Sequence, residues 1–196
     1  MFIVFEGFEG SGKTTAVKYF TEQLKGNLTV TREPGGSKMS EKLREVLLTE
    51  DVGVEAEYLL MSASRADHVA NTVRPALARG DIVVCDRYTM SSTAYQGYGR
   101  GVPLKTIRTI NKFATGDLKP DLTIYLHVSF DEAVRRIRLR GNLDRFESDV
   151  EFLQRVYEGY GREVSQSAFD NMVVLDADKG IEYIQTQLQA IAKTLI

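Results

Sequence analysis

The chain has 196 residues, of which 43% are hydrophobic, and a formal net charge of −2. This length suits one substantial core rather than two, and the balanced charge gives no general reason to expect nucleic-acid binding. No apolar stretch approaches the ~20 residues that span a bilayer, and the first residues do not resemble a signal peptide. The single cysteine, Cys85, excludes an intrachain disulfide and argues against a cysteine-based metal cluster. We therefore expect one soluble, cytoplasmic domain over residues 1–196 that binds neither nucleic acid nor membranes.

Apolar runs alternate with amphipathic stretches in the first half of the chain. Short apolar runs predict three strands, at Phe2–Phe5, Leu28–Thr31 and Ile82–Asp86. Apolar residues at spacings of three and four predict helices between them, at Thr14–Lys25, Glu41–Leu48 and Glu55–Ala78. Pro75 is expected to bend or end the third helix, and Gly80 to stop it.

The same alternation continues in the second half. Two more strands are predicted at Leu122–Val128 and Met172–Leu175, and four helices at Pro103–Ala114, Asp131–Arg140, Glu151–Phe169 and Ile181–Leu195. Ser129 and Glu132 are expected to form a capping box at the start of the second of these helices. Residues 141–148 form a polar, arginine-bearing interruption that fits either a mobile lid or an ordinary surface loop. The whole pattern predicts a three-layer α/β fold, with a parallel five-stranded sheet and helices on both faces.

A glycine-rich segment follows the first predicted strand. Its sequence, Gly7-Phe8-Glu9-Gly10-Ser11-Gly12-Lys13-Thr14, matches the P-loop pattern G-x-x-x-x-G-K-[ST] at every fixed position. The glycines let the backbone curl so that several N–H groups point at one phosphate, the lysine neutralises the outer phosphates, and the threonine hydroxyl can ligate Mg²⁺. The helix that follows adds its N-terminal dipole at the same point. We therefore predict a P-loop fold that binds the phosphates of ATP.

The predicted strand Ile82–Asp86 ends on a carboxylate. An aspartate at the end of such a strand can hold Mg²⁺ directly or through water. By itself the pattern is weak, because many buried strands end in aspartate. Beside a phosphate loop, it makes Asp86 a candidate metal ligand together with Thr14.

A phosphate loop does not identify the acceptor of the phosphoryl group. A guanine-specific switch GTPase should carry Asn-Lys-x-Asp, whereas Asn111-Lys112 continues with Phe113-Ala114. A mechanochemical ATPase usually has far more chain. Transfer between two anionic ligands needs fixed cations that bring them together. Arginines beside the predicted strand ends and around the possible lid favour this third class: Arg32, Arg44, Arg65, Arg87, Arg138, Arg140 and Arg145.

Several segments together resemble the bacterial thymidylate kinases from end to end, in family order and with family-like spacing. They are Phe5–Thr15, Thr31-Arg32-Glu33-Pro34-Gly35-Gly36, Asp86-Arg87-Tyr88, Ala94-Tyr95-Gln96-Gly97, Gly99-Arg100-Gly101, Lys119–Thr123 and Leu143-Asp144-Arg145-Phe146-Glu147. The resemblance implies transfer of the γ-phosphoryl group of ATP to dTMP with Mg²⁺, giving dTDP and ADP on the way to dTTP. It also implies a homodimer.

On the donor side, the resemblance assigns residues Gly7 to Thr15 to ATP and gives Glu9 an acidic role near the Mg²⁺ and the transferred phosphate. The variable positions of the loop contain no arginine. The chain therefore resembles the subgroup that supplies the transition-state cation from a lid at about residues 138–148, with Arg140 and Arg145 as candidates.

On the acceptor side, the resemblance assigns one set of residues to dTMP: Arg32, Glu33, Pro34, Arg44, Met61, Arg65, Asp86, Arg87, Ser92, Tyr95 and Gln96. Arg44 and Arg87 would grip the acceptor phosphate. Arg65 would reach the thymine carbonyl edge, and Ser92 and Gln96 would hydrogen-bond the base.

Three positions leave alternatives open, and one of them is Gln96, which also fits an ordinary surface amide. Tyr95 would stand against the sugar and exclude a 2′-hydroxyl, although a core aromatic also fits; the segment Gln96–Gly99 is expected to be an unusual loop. Family members commonly have a stacking phenylalanine where this chain has Met61, whose thioether can cover a ring but is more flexible. A kinase for another nucleotide or nucleoside, or a nucleotide-binding regulatory module, therefore remains an alternative to a dTMP kinase.

Overall fold

A computed structural model describes residues 1–141, 149–166 and 171–195. Within these residues, five strands form one sheet: β1 (Phe2–Gly7), β2 (Leu28–Arg32), β3 (Ile82–Asp86), β4 (Leu122–His127) and β5 (Met172–Asp176). All pairings are parallel, and the order is β2-β3-β1-β4-β5. The predicted α/β fold with a parallel five-stranded sheet is confirmed.

The α-helices of the described residues lie between and after these strands. They are α1 (Lys13–Gln23), α2 (Lys38–Thr49), α3 (Val54–His68), α4 (Arg74–Ala78), α5 (Thr89–Ser92), α6 (Leu104–Thr115), α7 (Phe130–Arg140), α8 (Val150–Gln166) and α9 (Ile181–Thr194). Two π-helical turns, Val69–Val73 and Thr93–Gly99, and one 3₁₀ turn, Ala177–Lys179, complete the set. In the part of the chain that the structure describes, no helix combines the length and the apolarity needed to cross a membrane.

The central strand is covered on both sides, because successive side chains of a strand point to opposite faces. Ile3 and Phe5 belong to one buried cluster, and Phe2 and Val4 to another. β1 and β3 are neighbours that run in parallel, so their carboxyl ends meet at one edge of the sheet. Ligands of open α/β folds bind at this edge.

Three local expectations need revision. The helix predicted to bend or end near Pro75 is instead interrupted before the proline by the π turn Val69–Val73, and it continues as α4 to Ala78; π turns and prolines are recognised causes of helix kinks. The capping box is wrong, because the Ser129 hydroxyl donates to Asp178 while Glu132 pairs with arginines of its own helix.

The segment Gln96–Gly99 is helical rather than a loop, since it lies in the π turn Thr93–Gly99. Neither of its glycines has a positive φ. A Cβ on Gly97 would lie 2.8 Å from the side chain of Leu104, and one on Gly99 would lie 2.6 Å from Phe152. These glycines therefore permit close packing against α6 and α8, which a turn-based interpretation of the sequence missed.

Candidate active site

The glycine-rich segment connects β1 to α1 and wraps around the side chain of Lys13. The Lys13 ammonium donates to the carbonyl oxygens of Gly7 (2.9 Å) and Phe8 (3.1 Å). Gly12, at the N-cap of α1, has φ of 84°, which glycine adopts without the strain of a side chain. A Cβ on Gly10 (φ 74°) would lie 2.8 Å from the carbonyl oxygen of Ala133. The loop thus has the curled shape that a phosphate group requires.

Lys13 is a buried cation in this loop. Burial lowers the pKa of its ammonium to about 8, and the nearby charge of Arg87 adds to this shift. The carboxylate of Glu9, 4.0 Å away, opposes it. A bound polyphosphate would add further negative charge beside this ammonium and favour its charged form.

Thr14 and Asp86 come together at the start of α1 and the end of β3. The Thr14 hydroxyl donates to Oδ2 of Asp86 at 3.4 Å. Oδ1 of Asp86 is buried and accepts no hydrogen bond from the described residues. Hydroxyl and carboxylate oxygens are the ligands that Mg²⁺ prefers, with water and phosphate oxygens completing its shell. The residues present therefore fit the predicted metal.

Arg87 follows β3 directly and joins the phosphate loop to the neighbouring cleft. One end of its guanidinium donates to the Tyr160 hydroxyl at 3.0 Å, and the other contacts Glu9 and donates to the Tyr95 hydroxyl at 3.2 Å. Its backbone has φ of 72°, an uncommon value for a residue with a side chain. Such conformations persist where the surrounding structure enforces them, and they cluster at functional sites.

Glu6 stabilises the segment that begins at Arg87. The sequence did not indicate Glu6 as a functional residue. Its buried carboxylate accepts hydrogen bonds from the backbone N–H of Tyr88 (2.8 Å) and from the Ser91 hydroxyl (2.7 Å). It thereby holds the chain directly after Arg87 in place. A glutamate at the end of an otherwise apolar strand was the available signal, because charged side chains are rarely buried without partners.

A cleft beside the loop brings most of the predicted acceptor residues together. Its walls include Glu9, Glu33, Pro34, Arg44, Met61, Arg65, Arg87, Ser92, Tyr95 and Gln96. The sequence did not indicate Leu47, Leu48, Ser91 and Leu153, which also line the cleft. Arg32 is not part of these walls: its exposed side chain pairs with Glu41 at 2.9 Å.

Arg65 and Glu33 form a buried ion pair at 2.6 Å in one wall of the cleft. The second oxygen of Glu33 contacts Nδ1 of His68 at 2.9 Å. Arg65 also donates to the Ser92 hydroxyl (2.8 Å) and to the side-chain oxygen of Asn111 (2.7 Å). Glu33 therefore orients Arg65, and both of its oxygens already have partners.

Arg44, half-buried on α2, gives the cleft a positive end. It donates to the carbonyl oxygen of Pro34 at 2.9 Å. Burial, and then the charge of Arg32, lower the pKa of the Arg44 guanidinium. An anion bound here would relieve this repulsion, which suits a phosphate group.

The remaining predicted residues lie at the margins of the site. Phe8 is buried against Tyr157, and Thr15 is exposed on the first turn of α1. Arg140 is the last residue of α7, so the predicted lid of about 138–148 begins within the last turn of that helix. Arg145 and the rest of the lid to residue 148 lie outside the described residues.

A curled phosphate loop with a metal-compatible pair, beside a cleft with a cationic end, defines a P-loop phosphotransferase. Sequence comparison identifies the particular family. The sequence model for thymidylate kinase matches residues 5–188. The chain belongs to the thymidylate kinase family.

Curated relatives named thymidylate kinase agree with this assignment. One from an Exiguobacterium species is 44% identical over 96% of this chain and 92% of the relative. Relatives from Trichodesmium erythraeum and Burkholderia cenocepacia are each 41% identical, covering 97% and 99% of this chain and 93% and 98% of their own lengths.

Proposed function

We propose that this protein transfers the γ-phosphoryl group of ATP to dTMP, giving dTDP and ADP. The observation that carries the proposal is the position of Arg87, which contacts Glu9 of the phosphate loop and also lines the acceptor cleft. A cation shared by two anion sites brings donor and acceptor together against their mutual repulsion.

In this mechanism the N–H groups of the loop and Lys13 hold the donor phosphates. Arg44 and Arg87 hold the acceptor phosphate so that one of its oxygens attacks the γ-phosphorus in line with the departing ADP. Thr14 and Asp86 would hold Mg²⁺, which neutralises phosphate charge.

The residues around the reacting groups have supporting roles. Glu9 orients Arg87, and the lid arginines Arg140 and Arg145 supply positive charge to the transition state. Arg65, Ser92 and Gln96 bind the thymine ring, and Tyr95 stands against the sugar.

We also propose a domain organisation, a cellular location and an oligomeric state for the protein. Residues 1–196 form one domain, whose lid covers about 138–148, and the protein is cytoplasmic. It acts as a homodimer: Leu59 on α3 and Phe113 on α6 are 57% and 88% exposed, and such apolar side chains support association through these two helices.

A substrate panel tests the proposed reaction. ADP release with dTMP, dUMP, dGMP, AMP and thymidine is measured in a coupled assay, and dTMP is expected to have the highest kcat/KM. Faster turnover of AMP or thymidine would overturn the proposal, since the acceptor would then lack a thymine or a phosphate.

Met61 favours a second candidate, a kinase for another nucleotide. It lines the cleft at the position of the expected stacking phenylalanine.

We predict that Met61→Phe lowers KM for dTMP by about 2- to 10-fold, because aromatic stacking adds about 0.5–1.5 kcal/mol beyond area burial. Met39→Phe, the same exchange at an exposed position of α2, is the control. An unchanged KM for dTMP together with better use of another nucleotide would favour the second candidate.

Lys13 predicts a pH dependence. Its pKa of about 8 in the protein without ATP means that the ammonium is charged at neutral pH and loses its proton as pH rises through 8. We expect kcat/KM for ATP to fall above that pH, by up to about tenfold per unit, since this ratio reports groups of the free enzyme. Bound phosphates favour the charged ammonium, so kcat should decline only at higher pH. Coincident profiles for the two parameters would contradict this prediction.

A further inference from the structure

The side-chain amide of Gln96 is held in one orientation. Gln96 is 2% exposed and lines the cleft, and its Nε2 donates to Oε1 of Glu57 at 3.0 Å. Glu57, on α3, is itself buried, and its other oxygen accepts a hydrogen bond from Arg100 at 3.3 Å. The Arg100 guanidinium in turn stacks on the ring of Phe152 at 4.6 Å. The Glu57 carboxylate thus has a fixed position beside the Gln96 amide.

This contact determines which end of the amide is available to a ligand. A carboxylate paired with arginine only accepts hydrogen bonds, so the NH₂ group of Gln96 must face Glu57. The amide oxygen then lies on the other side, and it accepts no hydrogen bond from the described residues. A ligand in the cleft that supplies an N–H group could donate to this oxygen, whereas a ligand that offers only an acceptor there would be repelled by it.

The neighbouring residues offer the opposite polarity. The oxygen of Ser92 accepts from Arg65 at 2.8 Å, which leaves its O–H free to donate. Arg65 itself is a donor only. The base therefore meets donors at Arg65 and Ser92 and an acceptor at Gln96.

This pattern matches one kind of base edge. Thymine and uracil present a carbonyl oxygen beside a ring N–H, which complement the donors and the acceptor. Cytosine presents an amino group beside an unprotonated ring nitrogen, so both contacts would fail. Reversing the Gln96 amide would correct the cytosine contact at the ring nitrogen, and Glu57 opposes that reversal.

We propose that Glu57 is a positioning residue that sets base specificity, holding the Gln96 amide so that the cleft selects a ring N–H and rejects cytosine. The inference rests on the proposed function, since it assumes that the cleft holds the base of a pyrimidine monophosphate. Glu57 acts on the base through Gln96, whose amide it holds by a hydrogen bond.

The test is the variant Glu57→Gln, which keeps the shape of the side chain but can donate to the amide oxygen of Gln96. The ratio of kcat/KM for dTMP to that for dCMP is expected to fall by about 10- to 100-fold, because one buried hydrogen bond is lost and one mismatch is removed. KM for dTMP should rise while kcat changes little. Glu55→Gln, at an exposed position of the same helix, should change neither parameter.

A second variant separates positioning from structural damage. Gln96→Met removes both ends of the amide at similar volume, and it should also lower the dTMP-to-dCMP ratio. Adding Glu57→Gln to it should change the ratio no further, because Glu57 acts through Gln96. If Glu57→Gln does not fold, Gln96→Met alone must still lower the ratio.

Other outcomes would overturn the inference. An unchanged ratio, or an equal loss for both nucleotides through kcat, would show that Glu57 has only a structural role. If the wild-type protein itself preferred AMP or thymidine to dTMP, the proposed function would fail first. The two failures are therefore distinguishable in one set of assays.

Discussion

Replacing Lys13 with alanine is expected to lower kcat/KM for ATP by at least about 10²–10³-fold, the loss found when one preorganised donor to a developing charge is removed. Lys13 is the cation at the centre of the phosphate loop, and its ammonium already lies within 3.1 Å of two loop carbonyls. Bound phosphates would accept hydrogen bonds from the same N–H groups, and they carry a full negative charge that the carbonyl oxygens lack. Steady-state kinetics with ATP as the varied substrate measure this effect.

The fold should survive this change. Burial lowers the pKa of Lys13 to about 8, so the folded state disfavours the charged form. Removing the charge therefore sacrifices little stability, and the Tm of Lys13→Ala is expected to stay close to that of the wild type. Lys18→Ala, at an exposed position of α1, controls for a general loss of positive charge. Unchanged kcat in Lys13→Ala would refute the role of the loop in catalysis.

Most of the fold follows from local patterns in the sequence. Buried parallel strands are short apolar runs, and surface helices have apolar residues at spacings of three and four, so both are visible without knowing the partners. The phosphate loop is visible for a similar reason, because its shape depends on glycines and on one lysine within eight consecutive positions. The strand Ile82–Asp86 has the same bounds in the structure as in the prediction.

The sequence does not predict contacts between residues that are distant along the chain. Glu6 meets Tyr88 and Ser91, and Glu57 meets Gln96; no local pattern pairs these positions. The helical turn at Thr93–Gly99 was concealed because its glycines permit close approach of neighbouring helices rather than chain reversal. Local pattern indicates which residues are available, whereas packing decides what each of them touches.

Arg87 shows how such packing bears on the choice of acceptor. Its side chain contacts Glu9, Tyr95 and Tyr160, so the protein itself holds the guanidinium in position. Preorganised charge of this kind acts without a reorganisation cost at the moment of reaction. A phosphate held by this group and by Arg44 would lie between the loop and the cleft.

Arg87→Ala is therefore expected to lower kcat/KM for dTMP by about 10²–10³-fold, with ATP binding little affected. The backbone does not confound this comparison, because arginine and alanine both carry a Cβ and meet the same strain at φ of 72°. Arg87→Lys should recover only part of the loss, since an ammonium cannot reproduce the planar fork of contacts. Titration calorimetry with ATP and kinetics with dTMP separate the two ligands, and Arg79→Ala at an exposed position is the control. Equal losses for both ligands would mean that Arg87 supports the phosphate loop instead of gripping the acceptor.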